Sequence, residues 1–383
     1  MKIFRLFNSN LIVFDQFLYA GLTLLFTSIF AAELSTQQFA ELNLFITTAM
    51  ILVGYFRAFI NQPQAIIYKN GENYNKEVAY ALISALIVIY FFYLIFSFFF
   101  LNKKNIISII SVFPILIFVN QLSRDIYSVL RFFKKLIFIS FIYLTVYLLF
   151  RFVSISISVY FTVVCLSIFW IYTTASCFKS NDLFFTIKQF FIKTWSFSRW
   201  IVVANTVFIF TSSLIPFVLI TKFGAVETKN YYIFMSVLAV FNPLMRGFYL
   251  KFMNQSEKNF RITKIFFYYS LLSLPIISLA LYILPKIFFI ESIGLFGFPL
   301  IIIMSGVVWT KIIYFTIDLN FNIAKKNKTL LIVSGIRFMP VILIFFSDSF
   351  SLEFLSILLL TFNTLEIFIL YIIDNEKLAF NLS

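Results

Sequence analysis

Long apolar runs separated by short polar connections dominate the chain. Val78–Leu101 is twenty-four residues without a charge, Phe152–Phe178 is twenty-seven, and Ile265–Pro285 is twenty-one. Roughly 18 to 20 apolar residues cross the hydrocarbon core of a bilayer as one helix. The runs are continuous, so a β-barrel, which needs apolar-out and polar-in alternation, is disfavoured. The pattern predicts an all-α polytopic membrane protein of about 12 transmembrane helices. They are expected at 11–32, 38–60, 78–101, 105–123, 136–150, 152–177, 200–221, 230–250, 265–285, 293–317, 329–346 and 352–373. The shortest, 136–150, is divided from the next only by Arg151, and tilted ends or a thinned bilayer would accommodate it. The first apolar stretch runs past Phe30 and holds Asp15 and Gln16. It is too long and too polar for a signal-peptide core, and a retained first helix is expected.

Composition agrees with a lipid solvent. The chain is 62% hydrophobic and 12% charged, against roughly half and a quarter in soluble domains. A net charge of +14 would suggest nucleic acid if the cations were clustered at random. Their placement explains them better. With the N-terminus in the cytoplasm, 22 of the 30 Lys and Arg fall on the inner side. Six fall outside (Lys103, Lys104, Arg151, Lys222, Lys229 and Lys286), and Lys311 and Arg337 lie within spans. That bias fits the positive-inside rule with both termini cytoplasmic, and no nucleic-acid partner is needed.

Several chemistries are excluded or unsupported. Histidine is absent, so no His-dependent metal site or proton relay exists. Cys165 and Cys177 fall on one predicted helix, about 18 Å apart at 1.5 Å per residue and too far for a disulfide. No Gly-rich phosphate loop and no nucleophile–base pair is visible. Catalysis, ATP use, a metal and an organic cofactor are not expected.

The twelve spans fall into two sixes, 1–180 and 181–383, joined by an inner linker near 178–199. Both sixes open alike. Asp15 sits early in the first span and Asn205 early in the seventh. An outer turn of small residues follows, Ala31-Ala32-Glu33-Leu34-Ser35 in one half and Phe223-Gly224-Ala225-Val226 in the other. The next span ends in Arg57 or Arg246, 42 residues after Asp15 and 41 after Asn205. Six spans per half make the halves parallel, and transporters built of two such bundles bind substrate between them and rock about the site.

The stretch from Asp15-Gln16-Phe17 to Ala58-Phe59-Ile60-Asn61-Gln62-Pro63 resembles the start of bacterial polysaccharide flippases. These are the O-antigen and capsule repeat-unit transporters of the multidrug/oligosaccharidyl-lipid/polysaccharide exporter superfamily. The second half, from Lys222-Phe223-Gly224-Ala225-Val226 to Tyr231-Tyr232, begins in a similar manner. At the outer turn many relatives carry a Gly-Tyr-like element, where this chain has Phe39 and Ala40. The resemblance implies translocation of undecaprenyl-diphosphate-linked oligosaccharide repeat units across the bacterial inner membrane. It also implies membrane lipids, and the polymerase and chain-length machinery of the pathway, as candidate partners.

Ionisable groups inside spans carry the functional expectation, because each costs about 2.5–3.5 kcal/mol at a helix centre on insertion scales. The candidates for a substrate or ion pathway are Arg337, Lys311, Arg57, Asp15, Glu366 and Asp318. Arg337 lies near the middle of its span, too deep to snorkel easily, and Glu366 is its candidate partner. That pair would serve either structure or transport. Lys311 and Asp318 are seven apart on one helix, on one face but about 10 Å from each other. Asp318 is near the inner end, where a solvated helix terminus is the plain reading, and Lys311 could snorkel inward. Asp15 and Arg57 would pair across adjacent spans, or Arg57 would fork onto substrate phosphate. A carboxylate such as Asp15 or Glu366 is a candidate carrier of a coupling proton or sodium ion. Prolines at 114, 216, 243, 275, 299 and 340 fall inside predicted spans, where kinks are expected.

Two other functions compete. A multi-spanning polysaccharide polymerase would want a large outer loop, and every outer connection here is short. A small-molecule or drug exporter of the same superfamily would want an acidic, aromatic pocket, whereas the deep charges include Lys311 and Arg337.

Overall fold

The computed structural model describes residues 2–61, 183–242, 271–323 and 335–380, with the single positions 117, 121, 142, 145 and 333. Among the described residues the chain is helical and has no strand. The helices are α1 (Lys2–Glu33), α2 (Thr36–Phe56), α3 (Leu183–Lys222), α4 (Ala225–Ala239), α5 (Leu274–Phe288), α6 (Phe298–Ile323), α7 (Phe338–Phe346) and α8 (Leu352–Phe380). A π-helical turn, Arg57–Asn61, continues α2, and 3-10 turns at Ile290–Leu295 and Gly335–Arg337 precede α6 and α7. The spans expected at 78–101, 105–123, 136–150 and 152–177 lie almost wholly outside the described residues, as do both cysteines. The figure of twelve therefore rests on the sequence. Two described stretches, Thr36–Phe59 and Leu352–Ile373, are long and apolar enough to cross a bilayer; Leu18–Glu33, Ser213–Lys222, Leu274–Phe288, Phe298–Tyr314 and Gly335–Phe346 are shorter apolar helices.

Helix α5 shows what solvent these helices are made for. Ile276, Leu279, Ile283 and Ile287 are exposed along one face, while Ile277, Leu281 and Pro285 are buried on the other. Both faces are apolar. In water the outer stripe would be an interaction or aggregation surface; in hydrocarbon it needs no further partner. Hydroxyl groups are handled in the same spirit. Those of Thr23, Thr27, Thr47, Thr48, Thr194, Ser198 and Ser356 each donate to the carbonyl four residues earlier, at 2.6–2.9 Å for all but Thr48, at 3.0 Å. A hydroxyl satisfied by its own helix can sit in lipid without exposing a polar group.

The chain divides into two compact units, one made of Met1–Asp15 and Glu41–Asn205, the other of Gln16–Ala40 and Thr206–Ser383. In the first, α2 buries Leu42, Ala49, Val53 and Phe56 along one stripe. The early part of α3 buries Phe190, Thr194, Ser198 and Ile201 at helical spacing and exposes Lys188, Lys193 and Arg199. Most of the predicted inner linker is thus the amphipathic leading part of a 40-residue helix. It is helical because its apolar positions recur every three to four residues. The rings of Phe59 and Phe191 meet edge to face, 6.1 Å apart.

In the second unit the two turns expected on the outer side are built differently. Between α1 and α2, Ser35 and Gln38 form a capping box. The Gln38 N–H donates to Ser35 Oγ at 3.3 Å and the Ser35 N–H to Gln38 Oε1 at 3.2 Å, satisfying two donors that a helix start leaves open. Between α3 and α4 the turn relies on Gly224, at φ 93° and ψ −175°, a conformation open essentially to glycine alone. Two lysines then close helix C-termini. Lys229 Nζ donates to the Ala31 carbonyl in the last turn of α1 at 2.9 Å. Lys222 Nζ donates to the Phe345 carbonyl at 2.7 Å and to that of Ser347, at the end of α7. Cations there meet unsatisfied carbonyls and the negative end of the helix dipole.

Of the six prolines expected within spans, those described fall at a helix start, at helix breaks and in one helix interior. Pro275, Pro299 and Pro340 fall in the first turns of α5, α6 and α7, where the missing N–H has no intrahelical partner to lose. Pro299 starts a helix, whereas Pro275 and Pro340 follow a break in a helical run, at Ser273 and at the 3-10 turn Gly335–Arg337. Pro216 alone of the six lies inside a described helix interior, that of α3.

The most extensive contact among the described helices is between α6 and α8. A methyl group on Gly306 would lie 3.1 and 3.3 Å from the two Cδ atoms of Leu360, so the small residue sets how near the helices come. Gly306→Val is expected to lose about 1–3 kcal/mol by overpacking. Thermal unfolding of the detergent-purified protein would show it as a lowered midpoint; an unchanged midpoint would mean that the helices part without strain.

Candidate functional site

Helix α6 carries polar residues at several levels, among them Ser305, which faces α5, and Thr310, Lys311 and Tyr314 further along. From Ser305 to Tyr314 they span roughly 13 Å at 1.5 Å per residue. All but Lys311 meet a polar group on a neighbouring element. The hydroxyls of Ser305 and Ser278 on α5 lie 2.8 Å apart. Asn363 Nδ2 on α8 makes a long contact of 3.5 Å with Thr310 Oγ1. One turn further along α8, Glu366 Oε2 accepts from Arg337 Nε at 2.8 Å. The guanidinium carbon of Arg337 sits 4.1 Å above the ring centroid of Tyr314, a cation–π arrangement.

This ion pair is deep. The Glu366 side chain is 1% exposed and that of Arg337 16%. Around it lie Ile313, Ile317, Val333 and Leu370, with Ile336 and Ile367 packed against them. Tyr314 also lies against the Glu366 carboxylate. Even so, Glu366 Oε1 is buried and accepts no hydrogen bond. An ionised carboxylate wants donors on both oxygens, and an unsatisfied buried acceptor is costly.

Lys311 is the second cation. It is half-buried, close enough to Arg337 for the two charges to repel. Among the described residues it makes no hydrogen bond and no ion pair. With all three groups ionised, Lys311, Arg337 and Glu366 carry one excess positive charge in apolar surroundings.

The structure therefore brings together three of the six residues expected for a pathway: Arg337, Glu366 and Lys311. Asp318 shares α6 with Lys311, five residues before the helix end, and its side chain lies outside the described residues. Arg57, half-buried, opens the π-helical turn after α2; such turns recur at functional positions. Asp15 lies on α1, and its side chain, and with it the expected Asp15–Arg57 pair, lies outside the described residues. Sequence reasoning missed Tyr314, Thr310 and Asn363. A signal existed: Tyr314 follows Lys311 by three, and Glu366 follows Asn363 by three, so each pair shares a helix face. Among the described residues no group of three or more His, Cys, Asp or Glu could hold a metal ion.

No protein-family model matches the chain, and no curated protein matches its sequence. Among solved structures, the crystal structure of a mutant of the Vibrio cholerae MATE transporter VcmN matches 98% of this chain and 96% of its own, with a TM-score of 0.58 and 11% identity. At that identity the likeness speaks for fold and not for substrate. The neighbour is a transporter rather than an enzyme. The chain thus shares the fold of a MATE transporter.

Proposed function

We propose that this chain is a flippase that moves undecaprenyl-diphosphate-linked oligosaccharide repeat units from the cytoplasmic to the periplasmic leaflet of the bacterial inner membrane. Transport would proceed by alternating access between the halves 1–180 and 181–383, with both termini cytoplasmic. The observation that carries the substrate class is the cation excess at Lys311, Arg337 and Glu366. A diphosphate leaving water needs its hydration replaced, and inward-facing Lys and Arg do that. Arg57 would add a guanidinium for phosphate, with Asp15, Asp318 and Glu366 setting the charge balance of the path. Tyr314 and other aromatics would offer faces to sugar rings.

The fold by itself serves an exporter of small molecules equally well. An exporter of cationic drugs, however, is poorly served by a lysine that has no ion pair among the described residues and stands beside an arginine. A polymerase is disfavoured by the transporter fold of the structural neighbour.

Deleting the gene is expected to leave lipid-linked repeat units trapped in the inner leaflet, measured by their accessibility to an impermeant sugar-modifying reagent in oriented vesicles. Accumulation of single repeats on the outer leaflet would point to a polymerase. Unaltered glycan with raised drug sensitivity would point to the small-molecule exporter.

A further inference from the structure

The Arg337–Glu366 pair is built asymmetrically. Arg337 satisfies Oε2 at 2.8 Å, Oε1 is buried without a donor, and a second cation, Lys311, stands near Arg337 with no anion of its own among the described residues. We propose that an anionic group and Glu366 compete for Arg337, so that each anion taken up by Lys311 and Arg337 brings a proton to Glu366. The inference deepens the reading of an anionic substrate and rests on it.

The physical steps are these. An anion entering beside Lys311 gains two cations at once if Arg337 turns from Glu366 to meet it. A guanidinium is suited to that exchange, because its fork of donors fits phosphate and carboxylate alike. Glu366 is then a buried carboxylate without its counter-ion, with the Tyr314 side chain as its remaining polar contact on α6. An isolated buried charge of this kind is neutralised rather than tolerated. The proton comes from water and is held on the carboxylate, where Oε1 has no donor to lose. Charges balance: one negative charge on the anion and one proton leave the cluster with the net charge it had before.

Among the described residues no cation other than Lys311, itself engaged with the anion, offers Glu366 an alternative counter-ion. From α6, Lys311 and Tyr314 face the region, and the 3-10 turn contributes Arg337. On α8 itself the nearest polar neighbour is Asn363, one turn earlier, and Tyr371 is exposed. Helix α7 has no charged side chain. Helix α4, which also packs on α8, carries Glu227 and Lys229 in its first turn, with Lys229 engaged at Ala31, and buried tyrosines at 231 and 232.

The test uses the full-length protein in lipid nanodiscs with farnesyl diphosphate as the probe. Titration calorimetry at one pH in two buffers of different ionisation enthalpy gives the protons taken up per probe bound. The probe's own titration is common to all variants. Wild type is expected to take up about one proton more than Glu366→Gln. Infrared difference spectra of the wild type should gain a protonated-carboxyl band on adding probe, a readout that needs no variant. Equal proton uptake in both proteins, or no such band while the probe binds, overturns the exchange but leaves the anion reading standing. Failure of the folded wild type to bind the probe overturns both.

Discussion

Arg337→Met should destabilise the protein by about 3–5 kcal/mol, the usual effect of removing one partner from a buried ion pair. The reason lies in Glu366, which is 1% exposed and would be left with neither the guanidinium on Oε2 nor any donor on Oε1. The double variant Arg337→Met with Glu366→Leu should recover most of that loss, because an apolar pair of similar volume suits a site lined by Ile313, Ile317 and Leu370. Thermal unfolding gives the stabilities, and glycan display on cells gives transport. A purely structural pair predicts that the stable double variant still transports. A transport role predicts a stable protein that does not. The double variant is the informative one, since loss of function in the single variant would follow from either role.

Lys311→Glu should behave in the opposite way, with stability nearly kept and transport lost. Lys311 has no hydrogen bond or ion pair among the described residues to break. Reversing it takes the cluster from one excess positive charge to one excess negative charge. At an effective dielectric constant near 20, one unit charge about 6 Å from another is worth about 3 kcal/mol. Replacing attraction by repulsion should then weaken binding of a diphosphate by at least about a hundredfold. Lys311→Gln, which removes the charge without reversing it, should fall between. Equal transport in all three proteins would take Lys311 out of the path.

Depth within a span was enough to single out Arg337, Glu366 and Lys311, because an ionised group in hydrocarbon needs a reason to be there. It was enough to name Glu366 as a partner for Arg337, although 29 residues separate them. The orphaned oxygen was not legible, since it depends on which of two carboxylate oxygens the guanidinium meets. Tyr314 was missed because tyrosine is an ordinary packing residue in so aromatic a chain, and only its ring beneath Arg337 distinguishes it. Pro299 was assigned to a span interior because hydropathy alone cannot tell a helix start from a helix middle within one apolar run. Helix α3 absorbed most of the predicted linker because charge marks a segment as wet without saying whether it is coiled. The outer lysines were counted as charges only. Their partners are backbone carbonyls, which leave no signature in a sequence.

Those two lysines have a consequence for biogenesis. If the topology expected from the sequence holds, Lys222 and Lys229 are positive charges that cross to the outside during insertion, against the positive-inside preference. Once α1, α4 and α7 have come together, the same amines fasten Ala31, Phe345 and Ser347. A variant that replaced both by methionine would insert more readily and hold its outer end less firmly. Translocation and folded stability thus pull these two positions in opposite directions.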